Sequence, residues 1–167
     1  LNIPDSVKRF GFKCFSETKW IENIPVNEDG LKIYRDILLE ATDIQENLVI
    51  NPNINFIVGG VFQDFEKLES IILPNNIKCI EEYTFQNCIN LESIEIPSGV
   101  NWIGRSAFDN CKNLKSIMIP ESVKEIGESA FYRCENLSEI ELPKELEYIG
   151  ENTFEGCSSL KKIIIPM

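Results

Sequence analysis

The chain has 167 residues, 43% hydrophobic and 26% charged, a composition that excludes wholesale disorder. Sixteen Lys and Arg against 27 Asp and Glu leave a net charge of -11, which argues against nucleic acid or an anionic membrane surface as a partner. There is no histidine, so Ser-His-Asp and Cys-His nucleophile pairs are excluded and the commonest transition-metal ligand is missing.

In chain order, the opening Leu1-Asn2-Ile3-Pro4 carries no initiator Met and no signal-peptide pattern, and reads as part of a longer chain. Residues 4–26 then place Pro4, Val7, Phe10-Gly11, Phe15, Ile21 and Ile24 at spacings that return later in the chain. Residues 27–50 keep only part of that pattern, chiefly Leu31, Leu39, Leu48 and Ile50. Within them Leu31, Tyr34, Leu38 and Ala41 fall at helical spacing, which predicts a helix over Tyr34 to Asp43. Residues 51–73 restore Ile54, Ile57, Phe62, Leu68, Ile71 and Leu73, with Phe65 where later copies have cysteine.

From Pro74 the pattern is regular. Pro74, Pro97, Pro120, Pro143 and Pro166 recur every 23 residues. In the same register come Phe85, Phe108, Phe131 and Phe154, then Cys88, Cys111, Cys134 and Cys157, and then Ile94, Ile117, Ile140 and Ile163. Residues 74–96, 97–119, 120–142 and 143–165 are therefore four copies of one unit, P-x-x-[VIL]-x-x-I-[GE]-x-x-[TA]-F-x-x-C-x-x-L-x-x-I-x-[IL]. With 4–26, 27–50 and 51–73 they divide the chain into seven segments of one domain.

Within a unit, L-x-x-I-x-[IL] alternates at period two and predicts a half-buried strand, which the following proline stops. The V-x-x-I-G stretch crosses the back, with Gly104, Gly127 and Gly150 at a positive φ or a close approach. The segment Glu128-Ser129-Ala130-Phe131-Tyr132-Arg133-Cys134 predicts one short helical turn. No unit of this size buries its own apolar face, so the units must stack, at roughly 4.8 Å per rung.

The unit resembles the BspA-like leucine-rich repeats, which share the I-G-x-x-A-F-x-x-C-x-x-L core; the match is strong over Pro74 to Pro166 and looser before it. The resemblance implies an α/β repeat solenoid: a right-handed superhelix with a parallel β-sheet on its concave face and short helical turns or loops on its convex face. It also implies a cell-surface or secreted setting and a role in adhesion or protein binding. It brings no catalytic residue.

The cysteines in the repeat column read as buried thiols, since none has C-x-x-C metal spacing. Cys14 and Cys79 lie off the column and are expected to fill gaps at the back. Glu95 and Glu141 share one strand position but lie two rungs apart with Met118 between them, so a solvated face explains them better than a glycosidase pair. Asn136-Leu137-Ser138 is a formal glycosylation sequon whose Leu137 belongs to the core. No phosphate-binding glycine loop occurs. Neither a cofactor nor a metal is expected, and the chain reads as non-enzymatic.

Three columns project from the concave strands. The first begins Glu22, Glu46, Glu69, Glu92 and then turns basic at Lys115; the second runs from Asn23 and Asn47 to Lys162. The third is Pro25, Val49, Ile72, Glu95, Met118, Glu141, Ile164. Apolar groups among acids on an exposed face mark an interaction surface. The candidate binding residues are therefore Glu69, Ile72, Glu92, Glu95, Met118, Glu141 and Ile164. The expected partner is a protein, with a host or matrix protein or a glycan as options. The alternative is a structural spacer in a larger surface protein.

Overall fold

A computed structural model describes residues 3, 4 and 6–165. Among them helix is confined to α1 (Lys19–Glu22), and the rest is short strands and turns. The strands are β1 (Leu31–Tyr34), β2 (Ile37–Ala41), β3 (Asn47–Val49), β4 (Phe56–Ile57), β5 (Ser70–Ile72), β6 (Cys79–Ile80) and β7 (Ser93–Glu95). They continue as β8 (Trp102–Ile103), β9 (Ser116–Met118), β10 (Glu125–Ile126), β11 (Glu139–Glu141), β12 (Tyr148–Ile149) and β13 (Lys162–Ile164). The molecule is a parallel-strand solenoid. From β3 on, each turn lends one strand to a concave sheet, ordered β3-β5-β7-β9 and then β11-β13. A second, two-residue strand joins a back sheet, β6-β8-β10-β12.

Stacking in register turns the repeat columns into ladders. Phe62, Phe85, Phe108, Phe131 and Phe154 stack face to face with centroids 5.3–5.8 Å apart and ring planes within 13° of parallel. The four column cysteines are free thiols, and each donates to the phenylalanine carbonyl of the preceding turn, Cys88 to Phe62 at 3.0 Å and Cys111 to Phe85 at 3.1 Å. Outside the core, Asn113 Nδ2 donates to Asn90 Oδ1 and Asn136 Nδ2 to Asn113 Oδ1. Each turn thereby satisfies polar groups that its neighbour leaves open.

Three local expectations change. Tyr34 to Asp43 is not a helix: β1 and β2 form an antiparallel hairpin with Leu31 opposite Ala41 and Tyr34 opposite Ile37. Arg35 turns the chain at φ 56°, and Leu38 is buried because β2 also pairs with β4. The same apolar spacing is produced by two strands flanking a turn, so periodicity could not separate the alternatives. The A-F-x-x-C stretch is not a helical turn either. Ser106, Asn110, Ser129 and Arg133 take positive φ, and the backbone donates to the next turn, Phe108 N to Ala130 O at 2.8 Å. The convex side is therefore built of loops. Finally, Cys14 is exposed and fills no gap, whereas Cys79 is half-buried on the back strand β6.

The glycine column works by close approach and not by positive φ. A Cβ at Gly104 would lie 2.6 Å from Glu82 N, and one at Gly127 would lie 2.6 Å from Arg105 N. Only a residue without a side chain lets adjacent turns meet there.

Candidate functional site

The concave face is the most regular surface of the molecule. In β3, β5, β7, β9 and β11 the central residue points inward: Leu48, Ile71, Ile94, Ile117 and Ile140 are buried, and the flanking residues point out. Pairing fixes which of them meet: Val49 beside Ile72, Glu95 beside Met118, and Glu141 beside Ile164. Between β9 and β11 the regular ladder lapses, although Ser138 N still reaches Lys115 O at 3.4 Å.

Five of the seven predicted residues, Ile72, Glu95, Met118, Glu141 and Ile164, are positions of the concave strands, and Glu69 and Glu92 immediately precede β5 and β7. Ile72 is 64% exposed and Met118 81% exposed, while Ile164 is half-buried at the end of the stack. A broad open depression brings Glu95, Met118, Glu141 and Ile164 together. Ile72 lines an adjoining hollow that shares Glu95 with it. Glu69 and Glu92 stand in the first column, linked by Glu92 N to Glu69 O at 3.0 Å. Lys115 Nζ lies 2.8 Å from Glu92 Oε2, an exposed pair that contributes little stability but marks where the column changes sign. Glu22, Asn23 and Pro25 do not extend the columns, because Lys19–Glu22 is helix α1 and the sheet begins at β3. Val49, left out of the predicted set, is 61% exposed and enlarges the apolar surface beside Ile72.

The carboxylates do not converge. Glu95 and Glu141 are separated by a whole strand carrying Met118, roughly 10 Å at ordinary strand spacing. Among the described residues no group of three His, Cys, Asp or Glu is placed to hold a metal ion, and no helix is long and apolar enough to cross a membrane.

Sequence reading missed a second cluster, on the back. Arg9 makes a two-pronged ion pair with Glu81, Nε to Oε1 and Nη2 to Oε2, both at 3.0 Å, and Glu81 is 2% exposed. The guanidinium lies 3.6 Å over the Trp102 ring. The Cys79 thiol donates to the same carboxylate at 3.3 Å, and burial with that neighbouring charge pushes its pKa up to about 12. The available signal was Glu81 itself, which stands in the column occupied by Gly104, Gly127 and Gly150.

A family model for the BspA type leucine-rich repeat region matches in six copies, over residues 1–101 and 57–167. The chain belongs to the BspA-type leucine-rich repeat family. A leucine-rich repeat protein of T. pallidum is similar in structure, with a TM-score of 0.72 and 27% identity over 83% of this chain and 66% of its own. One from Bacteroides ovatus gives 0.69 and 32% identity over 84% of this chain and 38% of its own. A leucine-rich cell surface protein of Faecalibacterium prausnitzii shares the fold at a TM-score of 0.55 and 22% identity, covering 99% of this chain and 31% of its own. The chain thus spans less than two thirds of the length of these relatives. No curated protein matches it significantly.

Proposed function

We propose that this BspA-type repeat chain is a non-catalytic interaction module that binds a partner protein on its concave face. The observation that carries the reading is the exposure of Ile72 and Met118 on the concave sheet, with Glu69, Glu92, Glu95 and Glu141 in the same or adjacent turns. Large apolar side chains are seldom left on such a face without a contact to make, and surrounding charge directs that contact. The turn from Glu46, Glu69 and Glu92 to Lys115, Lys161 and Lys162 gives a partner a preferred orientation. A cell-surface or secreted setting and a host or matrix partner accord with the family and with the relative described as a cell surface protein. A glycan is the lesser option, since the apolar centre offers it few hydrogen bonds.

The test is capture of extracellular or matrix proteins on the immobilised chain, with the triple variant Ile72→Ser, Met118→Ser, Ile164→Ser as comparison. Proteins held by the wild type and lost by an equally stable variant support the site. Equal capture by both moves the site elsewhere. No capture by either favours the second reading, a spacer in a larger surface protein.

A further inference from the structure

The back sheet is interrupted at one place. β2 pairs with β4, and β6 begins an unbroken run to β12, but β4 and β6 do not pair. On the concave side the same two turns remain joined through Ile71 and Ile94, and in mid-turn through Phe62 N to Thr84 O at 3.0 Å. The turns therefore splay apart only at the back. Glu81 accounts for this. Where Gly104 and Gly127 let the backbones close to a distance no Cβ tolerates, Glu81 brings both a Cβ and a carboxylate. The result is a seam with a buried negative charge inside it.

The chain's own N-terminal segment occupies the seam. Lys8, Arg9 and Phe10 lie against Asn55, Phe56 and Ile57 on one side and Ile77, Cys79 and Glu81 on the other. Arg9 supplies the fork that Glu81 requires and stacks on Trp102. Phe10 sets its ring edge-on to Phe56 at 5.5 Å. Phe12 reaches Tyr83 at 4.8 Å and covers Gly60, where a Cβ would strike its ring. Two backbone hydrogen bonds fasten this stretch to turn 51–73: Gly59 N to Phe10 O at 3.1 Å and Lys13 N to Gly59 O at 3.0 Å. Lys8, Arg9, Gly11, Phe12 and Lys13 are exposed on their outer side. The segment is held by side-chain recognition on a surface it does not itself complete.

We propose that the seam is a binding site for an extended peptide segment presenting an arginine followed by aromatic residues, with residues 7–13 as its resident occupant and the same segment of a second copy able to replace them. Three features select the ligand. The buried Glu81 carboxylate takes a planar two-pronged donor, which lysine cannot supply; Trp102 offers its face to that plane; and Gly59-Gly60 forms a bare shelf for a ring.

The test uses the full chain carrying Arg9→Ala and Phe12→Ala, hydrogen exchange over residues 7–13, and a fluorescent synthetic peptide of residues 6–16 carrying Cys14→Ser. The variant is expected to lose about tenfold or more in exchange protection at 7–13 and to bind the peptide. The Arg9→Lys form of the peptide is expected to bind about tenfold more weakly, because it loses the fork and the stacking. The wild-type chain, its seam filled, also binds more weakly. Unchanged protection, no binding, or equal binding of both peptides overturns the proposal. Should the double variant not fold, Arg9→Lys in the full chain is read in the same way: protection at 7–13 that stays at the wild-type level overturns it.

Discussion

Residues 74–165 and residues 3–50 of one chain are stabilised by different means. In the first region the same contacts recur from turn to turn: phenylalanine on phenylalanine, cysteine thiol on the phenylalanine carbonyl of the preceding turn, asparagine on asparagine. In the second, few contacts are between copies. Phe10, Phe15, Trp20 and Tyr34 form a chain of tilted and edge-on rings, β1 and β2 pair antiparallel, and Arg9 reaches to Glu81. A repeating region needs one good interface, used many times. The N-terminal region departs from the repeat and is held by contacts that are each made once. Within the repeat column itself burial is not uniform: Ile163 in β13, in register with the buried Ile94, Ile117 and Ile140, is 43% exposed.

The sharpest way to break this contrast is at the centre of the ladder. Phe108→Ala is expected to cost about 3–5 kcal/mol, measured by denaturant unfolding, because the ring is fully buried between Phe85 and Phe131. A loss confined to the N-terminal region would contradict nearest-neighbour coupling in the repeats. Next, Gly127→Ala is expected to destabilise by about 1–3 kcal/mol, since its methyl would meet the Arg105 backbone and force two turns apart. The same substitution at exposed Gly11, where a Cβ has open space, should have far less effect.

The thiols sharpen the contrast through pH. Burial raises the pKa of Cys88 and Cys111 above the ordinary 9.0, and that of Cys79 to about 12. The folded chain thus keeps protons that the unfolded chain releases. Their contribution to stability is complete below pH 9 and is lost as pH rises from 9 through the folded values. Unfolding midpoints at pH 8, 10 and 11 should fall, and fall less steeply in Cys111→Ala. Equal slopes would show that the column thiols are not protected. The smallest effect belongs to the concave face: Met118→Ser should shift stability by no more than about 0.5 kcal/mol in the same denaturant series, because the side chain is 81% exposed.

Much of this was legible in the residues because a 23-residue step assigns every position a neighbour. The strand centres, the phenylalanine and cysteine columns, and the outward placement of Ile72, Glu95 and Met118 follow from register alone. What the residues did not reveal lies where the register weakens. Leu31, Tyr34, Leu38 and Ala41 satisfy helix and hairpin equally, and the pairing of β2 with β4 decided between them. The A-F-x-x-C stretch has helical composition but left-handed residues, because alternate N–H groups, such as those of Ser106, Phe108 and Asn110, find partners in the next turn while those between them bond within their own.

The sequence by itself determined that identical units stack, which side chains they bury and which face they present, since periodicity is a property of the chain. The tertiary structure alone decided how an acid in a glycine column is accommodated. Glu81 and Arg9 are 72 residues apart, and no local pattern links a splayed pair of turns to the guanidinium that fills it. A contact made once, between segments brought together by the whole stack, leaves no periodic trace in the chain.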